Sequence, residues 1–151
     1  MFRSCLMTFL MAMTPVLELR GAMPYAVANG IPFPLAFVIC VVGNALPVPF
    51  IVAFIRTVFT WVKRRPKLRG FVERLETRAR AKGDMVCRYS LLGLFILVAI
   101  PLPGTGAWTG SLVAGILGLR LRSSCGVIFC GILAAGIVVT AITLGVHIII
   151  W

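Results

Sequence analysis

The sequence predicts an all-α integral membrane protein, an inverted repeat of one re-entrant helical hairpin plus one transmembrane helix. Hydrophobic residues make up 60% of the 151 positions and the mean hydropathy is +1.06, more apolar than a soluble domain of this size. The apolar sequence forms two blocks, residues 5–61 and 89–151, on either side of a basic segment. Because each block contains one interrupted run and one continuous run, we expect a single membrane domain over residues 1–151 with two similar halves.

The first repeat, residues 5–61, begins with an apolar run over 5–31 that is broken near its middle. The breaks leave two arms of roughly 12 residues, each about 18 Å long as helix, against a hydrocarbon core of about 30 Å. Such arms suit a hairpin that turns inside the membrane. The run over 35–61 is long enough to span, with a kink expected at Pro47 and Pro49. The residues that interrupt the first run are Pro15, Glu18, Arg20, Gly21 and Pro24.

The second repeat, residues 89–151, follows the same plan. A hairpin is predicted over 90–119 and a transmembrane helix over 124–150. An overlay of the two halves at an offset of 85 residues gives seven identities in 26 positions, which favours an internal repeat. Small residues at four-residue spacing predict a smooth helix-packing face on each return arm. These packing candidates are Ala22, Ala26 and Gly30, with Ala107, Ser111 and Gly115 at the matching positions.

The basic segment, residues 62–88, predicts the topology. Eleven of the fifteen Lys and Arg lie between Arg56 and Arg88, so the positive-inside rule puts this linker in the cytoplasm. Both termini are then outside, and the two hairpins enter from opposite sides with tips that meet near the midplane, as in secondary transporters. Helical spacing after Pro66 predicts an amphipathic linker helix ending at Gly83. Its basic face is expected to contact anionic lipid head groups.

Two charges in the first hairpin, Glu18 and Arg20, are the strongest functional candidates. A charge at membrane depth costs several kcal/mol unless it is paired or hydrated, so such residues usually face a cavity or pathway. Glu18 is a candidate proton-titrating carboxylate and Arg20 a candidate holder of an anionic head group. The alternative is a structural ion pair that ties the hairpin together. The breaks at Pro15 and at residues 21–24 would permit a non-helical tip that carries both.

The second tip and the first transmembrane helix supply the remaining binding candidates. Prolines and glycines free backbone groups that must find partners in protein, water or ligand. A purely structural turn is the alternative for the tip. Asn44 is the amide inside the first spanning helix, and it either hydrogen-bonds a hairpin tip or joins helices. The candidate substrate or ion ligands are Glu18, Arg20, Asn44, Pro101, Pro103, Gly104, Thr105 and Gly106.

Several functional classes find no candidate residues. The five cysteines are scattered and read as packing residues, so no metal site or cofactor is expected. The chain has no Ser-His-Asp set, carboxylate pair or phosphate-binding loop, and we expect no catalysis. Nucleic-acid binding is not expected because the charge belongs to one loop. His147, Trp61, Trp108 and Trp151 are interpreted as interfacial or packing residues, although Trp108 adjoins the second tip.

Three motifs resemble the signatures of prokaryotic small multidrug export proteins. They are Glu18-Leu19-Arg20-Gly21-Ala22-Met23-Pro24-Tyr25, Gly43-Asn44-Ala45-Leu46-Pro47-Val48-Pro49 and Ile100-Pro101-Leu102-Pro103-Gly104-Thr105-Gly106-Ala107-Trp108-Thr109-Gly110. The resemblance covers roughly residues 14–145. That family is distantly similar to the DedA/VTT membrane proteins, which have paired re-entrant hairpins and include polyprenyl-phosphate transporters and lipid scramblases. DedA transporters carry an arginine beside the second proline turn, whereas this chain has none there.

The resemblance implies a small transporter in the cytoplasmic membrane of a prokaryote. Its substrate would be amphiphilic or lipid-phosphate-like, bound between the hairpin tips, with Arg20 alone available for a phosphate. Glu18 is the candidate for proton coupling. The alternative functions are a non-transporting assembly or scaffold protein and a lipid scramblase. Since two spans and two hairpins enclose little space, a homodimer is also expected.

Overall fold

The computed structural model describes residues 1–63, 70, 83–102 and 105–150, and within these ranges the regular structure is all α-helix, with no strand. The predicted linker helix after Pro66 lies outside the described residues. The prediction of an all-helical chain is confirmed. The helices, numbered in chain order, are α1 (Phe2–Met13), α2 (Glu18–Ala28), α3 (Phe33–Ala45), α4 (Val48–Lys63), α5 (Gly83–Ala99), α6 (Ala107–Ile116) and α7 (Leu121–Ile150).

Two stretches, Phe33–Val58 and Leu121–Val146, are long and apolar enough to cross a membrane, each with 26 residues. The first stretch contains both α3 and α4, with a short interruption at Leu46 and Pro47. Hydrogen bonding resumes at once, because the amide of Ile51 donates to the carbonyl oxygen of Pro47 at 3.0 Å. The kink predicted at Pro47 and Pro49 is therefore observed as a short interruption between two helices.

The interruption in the first apolar run lies at residues 14–17, between α1 and α2, which we call the first break. The prediction that residues 21–24 also unwind is wrong, because Gly21 and Pro24 are helical within α2. An internal proline removes one helical hydrogen bond, here the one to the carbonyl of Arg20. The ring of Pro24 is exposed, while Ala22, Met23 and Ala26 bury the opposite face and hold the helix.

The interruption in the second apolar run lies between α5 and α6, where residues 100–102, 105 and 106 are described and are not helical, and we call it the second break. Its position agrees with the predicted tip. Helix α5 begins at Gly83, so residues 83–88 belong to this helix and not to the linker as predicted. No proline lies between Gly83 and Ala99, and the helix continues upstream from its apolar part into the basic segment.

The same local structures recur 88 residues apart along the chain. Gly30 ends the turn after α2 with φ +75°, and Gly118 ends the turn after α6 with φ +64°. In both turns the next amide reaches back five residues, Ile31 to Ala26 at 3.0 Å and Leu119 to Ala114 at 3.1 Å, which is the Schellman pattern. The following helices, α3 and α7, begin in the same register.

This recurrence corrects the packing prediction and the sequence overlay. An offset of 85 residues pairs Gly30 with Gly115, whereas the matching local structures are those at Gly30 and Gly118. Gly30 has nothing within 4 Å of where a Cβ would be, so it ends a helix and is not a packing residue. A glycine is favoured there because the left-handed conformation strains other residues. The other predicted packing residues are buried: Ala22, Ala26, Ala107, Ser111 and Gly115.

Glycines also let the arms approach the long helices closely. On α3, a Cβ at Gly43 would lie 2.9 Å from the carbonyl oxygen of Phe9 in α1. On α7, a Cβ at Gly131 would lie 2.7 Å from the Cβ of Val98 in α5. Helices α1 and α5 therefore pack on α3 and α7 in matching ways, while α2 contacts α7 and α6 contacts α4 across the halves. This crossed packing brings the two breaks together.

Candidate functional site

Arg20 joins the first half of the chain to the second break. Its Nη1 donates to the carbonyl oxygen of Leu102, and its Nη2 donates to the carbonyl oxygen of Thr105 at 2.8 Å and to Thr105 Oγ1 at 3.0 Å. A broken helix leaves carbonyl oxygens without partners, which is costly away from water. The planar guanidinium satisfies two such carbonyls at once.

Glu18 meets the helix that follows the second break. Its side chain is only 5% exposed, and Oε1 accepts a hydrogen bond from the backbone N–H of Trp108 at 3.3 Å. Helix α6 has no side-chain cap from its own N-cap residue, Gly106. The carboxylate of Glu18 takes that place, and the positive end of the helix dipole favours it.

The close approach of Glu18 depends on Gly106. A Cβ at Gly106 would overlap the carboxylate of Glu18, and its φ of +134° is one that other residues rarely adopt. Glu18 itself has φ +47°, a conformation uncommon for a non-glycine residue. The two residues lie 88 positions apart, so matching positions of the two halves share a positive φ and touch each other.

Trp108 makes a hydrogen bond in the opposite direction, from the second half of the chain to the first. Its Nε1 donates to the carbonyl oxygen of Met13, the last residue of α1, at 3.1 Å. Trp108 matches Arg20 in the 88-residue register, so equivalent positions each supply a side-chain donor to the break of the other half. The sequence interpretation of Trp108 as a packing residue missed this role. The signal was its place beside the second break, since a buried indole N–H needs an acceptor.

A small cavity lies between the breaks and the long helices. Its volume is about 10 Å³, close to the space that one water molecule needs. Asn44 is 4% exposed, and its Oδ1 is a buried oxygen with no hydrogen-bond partner in the described part of the chain. The cavity therefore combines a carboxylate, a guanidinium and an amide within apolar walls. Its lining residues are Glu18, Leu19, Arg20, Asn44, Val98, Gly106, Ala107, Ile132 and Ala135.

The structure brings most of the predicted ligands together. Glu18, Arg20, Asn44 and Gly106 line the cavity, and Thr105 binds Arg20 behind it. Pro101 lies in the second break and does not line this cavity. Two further predicted ligands, Pro103 and Gly104, lie outside the described residues.

Glu18 and Arg20 are close enough to attract each other, but their hydrogen bonds go to the second half of the chain. The predicted alternative of an ion pair closing the first hairpin does not account for these bonds. The charges instead connect the first half to the second. Among the residues with described positions, no three His, Cys, Asp or Glu side chains group as metal ligands.

Comparison with known proteins gives one informative match. A family model described as "Putative small multi-drug export protein" matches residues 18–138, which begin at Glu18 and include both the second break and most of α7. No curated protein and no solved structure gives a match. The matched range contains every residue that lines the cavity.

Proposed function

Because the chain belongs to the small multi-drug export family, we propose that it is a membrane exporter of an amphiphilic or lipid-phosphate-like substrate, with its binding site between the two breaks. The observation that carries this proposal is the cavity where Glu18, Arg20 and Asn44 converge. A buried carboxylate beside a half-buried guanidinium and an amide oxygen without a partner among the described residues is costly in an apolar protein, and such sites mark substrate or ion pathways.

We propose that the breaks are the tips of two re-entrant hairpins in an inverted repeat. Helices α2 and α6 have 11 and 10 residues, far short of a bilayer span. Arg56 in α4 donates to the carbonyl oxygen of Gly118 at 3.2 Å, so the turn after α6 adjoins the half of α4 that leads into the basic linker. With the basic linker in the cytoplasm, this turn is cytoplasmic and the turn after α2 is outside, in the inner membrane of a prokaryote.

Arg20 is proposed to hold an anionic group of the substrate. Its three hydrogen bonds to the second break leave two of the five guanidinium N–H donors for other partners. A larger substrate would have to displace the carbonyls of Leu102 and Thr105 from Arg20, because the cavity holds no more than about one water molecule. Binding and opening of the two breaks would then be the same event.

Glu18 is proposed to couple export to protons. Its hydrogen bond from the N–H of Trp108 is long, at 3.3 Å, so this contact holds the carboxylate only weakly for so buried a group. Protonation would remove the negative charge that interacts with α6 and would loosen the contact between the breaks.

A non-transporting scaffold is the second candidate, and one observation favours it. The bonds of Arg20 and Trp108 satisfy backbone groups of the breaks, as a purely structural connection would. A lipid scramblase would use the same groups without coupling to protons.

Flux through sealed vesicles separates these functions. Purified protein is reconstituted and the movement of a labelled phospholipid and of a cationic amphiphilic dye is followed across a series of pH gradients. The proposal expects flux that depends on the gradient in wild type and loses that dependence in Glu18→Gln, which keeps an acceptor for Trp108. Asp84→Asn, the matched carboxylate-to-amide change near the start of α5, should retain it. Flux that does not depend on the pH gradient would favour the scramblase, and absence of flux would favour the scaffold.

A further inference from the structure

Asn44 has a hydrogen-bonding capacity that the protein leaves unused. Its Oδ1 is fully enclosed and receives no hydrogen bond from any residue with a described position, and the side chain is 4% exposed. Buried polar atoms almost always have a partner, so an orphaned oxygen calls for a bound group that donates to it. Asn44 is one of two side-chain amides in the chain, since the sequence contains no glutamine. The other, Asn29, is exposed and donates to the carbonyl oxygen of Tyr25.

The cavity beside Asn44 has the size and the chemistry for one water molecule. Its volume is about 10 Å³, and three polar side chains line it. A buried water needs two to four polar partners, which these side chains supply. The water would donate one hydrogen bond to Glu18 and one to Asn44 Oδ1, and it would accept one from an N–H of Arg20. Both water protons and one lone pair would then be used.

The charges around the cavity favour a neutral ligand over a metal cation. The carboxylate of Glu18 is already balanced by the guanidinium of Arg20, which attracts it. A second cation beside Arg20 would be repelled at short range in a medium of low polarity. The remaining walls, which come from α3, α5, α6 and α7, carry no charged side chain in the cavity lining.

We propose that this cavity binds a single water molecule that hydrogen-bonds Glu18, Arg20 and Asn44. The water can serve both protonation states of Glu18, a point that rests on the proposed proton coupling. When Glu18 is ionised, the water donates to it. When Glu18 is protonated, the carboxylic acid donates to the water, which rotates and still donates to Asn44 Oδ1. Asn44 is thus the fixed acceptor that keeps the water in place while Glu18 changes state.

Infrared difference spectroscopy tests this proposal on the full-length protein in lipid. Spectra are recorded for a pH jump in ordinary water and in heavy-oxygen water. Bands that shift with the oxygen isotope report an internal water, and the carboxyl band that disappears in Glu18→Gln reports Glu18. Wild type should show both. Asn44→Leu, of similar volume but without an amide, should lose the water band and shift the Glu18 carboxyl band to higher wavenumber. Asn29→Leu should change neither band.

Wild type alone can overturn the proposal, so it does not depend on whether Asn44→Leu folds. Absence of an isotope-sensitive band from folded wild type would reject the water, as would a band that persists in folded Asn44→Leu. A Glu18 band that responds to sodium at constant pH would assign the cavity to a cation instead. A water band without pH-dependent flux would retain the water and reject proton coupling, whereas coupled flux without the band would reject the water alone.

Discussion

Arg20 Nη2 donates hydrogen bonds to two atoms of Thr105, the carbonyl oxygen at 2.8 Å and Oγ1 at 3.0 Å. The Thr105 hydroxyl lies within hydrogen-bonding distance of two carbonyl oxygens of its own segment, those of Ile100 at 2.9 Å and Leu102 at 2.8 Å, and its single proton can be donated to either. One residue of α2 therefore fixes the conformation of a non-helical segment more than 80 positions away in the sequence.

Replacement of Arg20 by lysine should weaken the fold although the charge is retained. A lysine ammonium cannot match the fork that reaches Leu102 and Thr105 together. Interhelical hydrogen bonds in membranes contribute on the order of 1 kcal/mol each, so we expect Arg20→Lys to lose about 1–2 kcal/mol. Thermal unfolding in detergent measures the loss, with the exposed Arg122→Lys as the matched control. Equal melting temperatures for the two variants would contradict the role of the fork.

A double-mutant cycle tests whether Arg20 acts through Thr105. Thr105→Val removes the hydroxyl and leaves the backbone carbonyl. If the two side chains interact as the structure has them, the free energies of unfolding for Arg20→Lys and Thr105→Val should fail to add by about 0.5 kcal/mol or more. Strict additivity would mean that Arg20 stabilises the protein through other groups.

Gly106→Ala should be among the most damaging alanine substitutions in the chain. The new Cβ would overlap the Glu18 carboxylate, and a φ of +134° adds backbone strain of about 1–3 kcal/mol. We expect a lower melting temperature and loss of flux. Gly93→Ala is the control, because a Cβ there meets nothing within 4 Å in helix α5. Equal melting temperatures for Gly106→Ala and Gly93→Ala would show that Glu18 and Gly106 are not in close contact.

Removal of the indole donor of Trp108 should leave the carbonyl of Met13 without its partner. An unpaired buried polar group costs about 1–3 kcal/mol. Trp108→Phe tests the change but also removes ring volume, so benzothienylalanine at position 108, which replaces the N–H by sulfur and keeps the shape, isolates the hydrogen bond. Both proteins should unfold at a lower temperature. Destabilisation by phenylalanine alone would assign the role to packing.

The proposed inverted repeat predicts that the turns after α2 and α6 lie on opposite sides of the membrane. In a chain whose five cysteines are replaced, Asn29→Cys and Arg122→Cys each introduce one exposed thiol beside these turns. A membrane-impermeant maleimide should label Asn29→Cys in intact cells and Arg122→Cys only after permeabilisation. Labelling of both in intact cells, or of neither, would reject the inverted repeat.

The sequence predicted the positions of both breaks and the approach of the two tips, but not the side-chain contacts between them. Apolar run lengths predicted the two spanning stretches, and the prolines near positions 15 and 101 predicted both breaks. The cost of buried charge selected Glu18 and Arg20 as candidates, because this cost depends on residue type and depth alone. The structure places both side chains against the second half of the chain. Their partners could not be predicted, since Trp108 and Thr105 become neighbours only through the crossed packing of α2 on α7 and of α6 on α4.

Glycine shows the same limit on a smaller scale. Gly30 and Gly115 each belong to a row of small residues at four-residue spacing, so they look equivalent in the sequence. In the structure, Gly30 ends a helix, whereas Gly115 packs against Ile55 of α4. Spacing cannot distinguish the two uses, because both favour a residue without a side chain. The φ angle distinguishes them, and it depends on where the helix ends.

The bonds exchanged between the two breaks make each half of the chain chemically incomplete. During synthesis, Met13 and Arg20 are made before Trp108 and Thr105. The carbonyl of Met13 and the guanidinium of Arg20 therefore lack these hydrogen-bond partners until the second half of the chain has been synthesised. Each half therefore depends on the other for these hydrogen bonds. In the proposed inverted repeat, a half-length chain could satisfy the same groups by associating with a second copy inserted in the opposite direction.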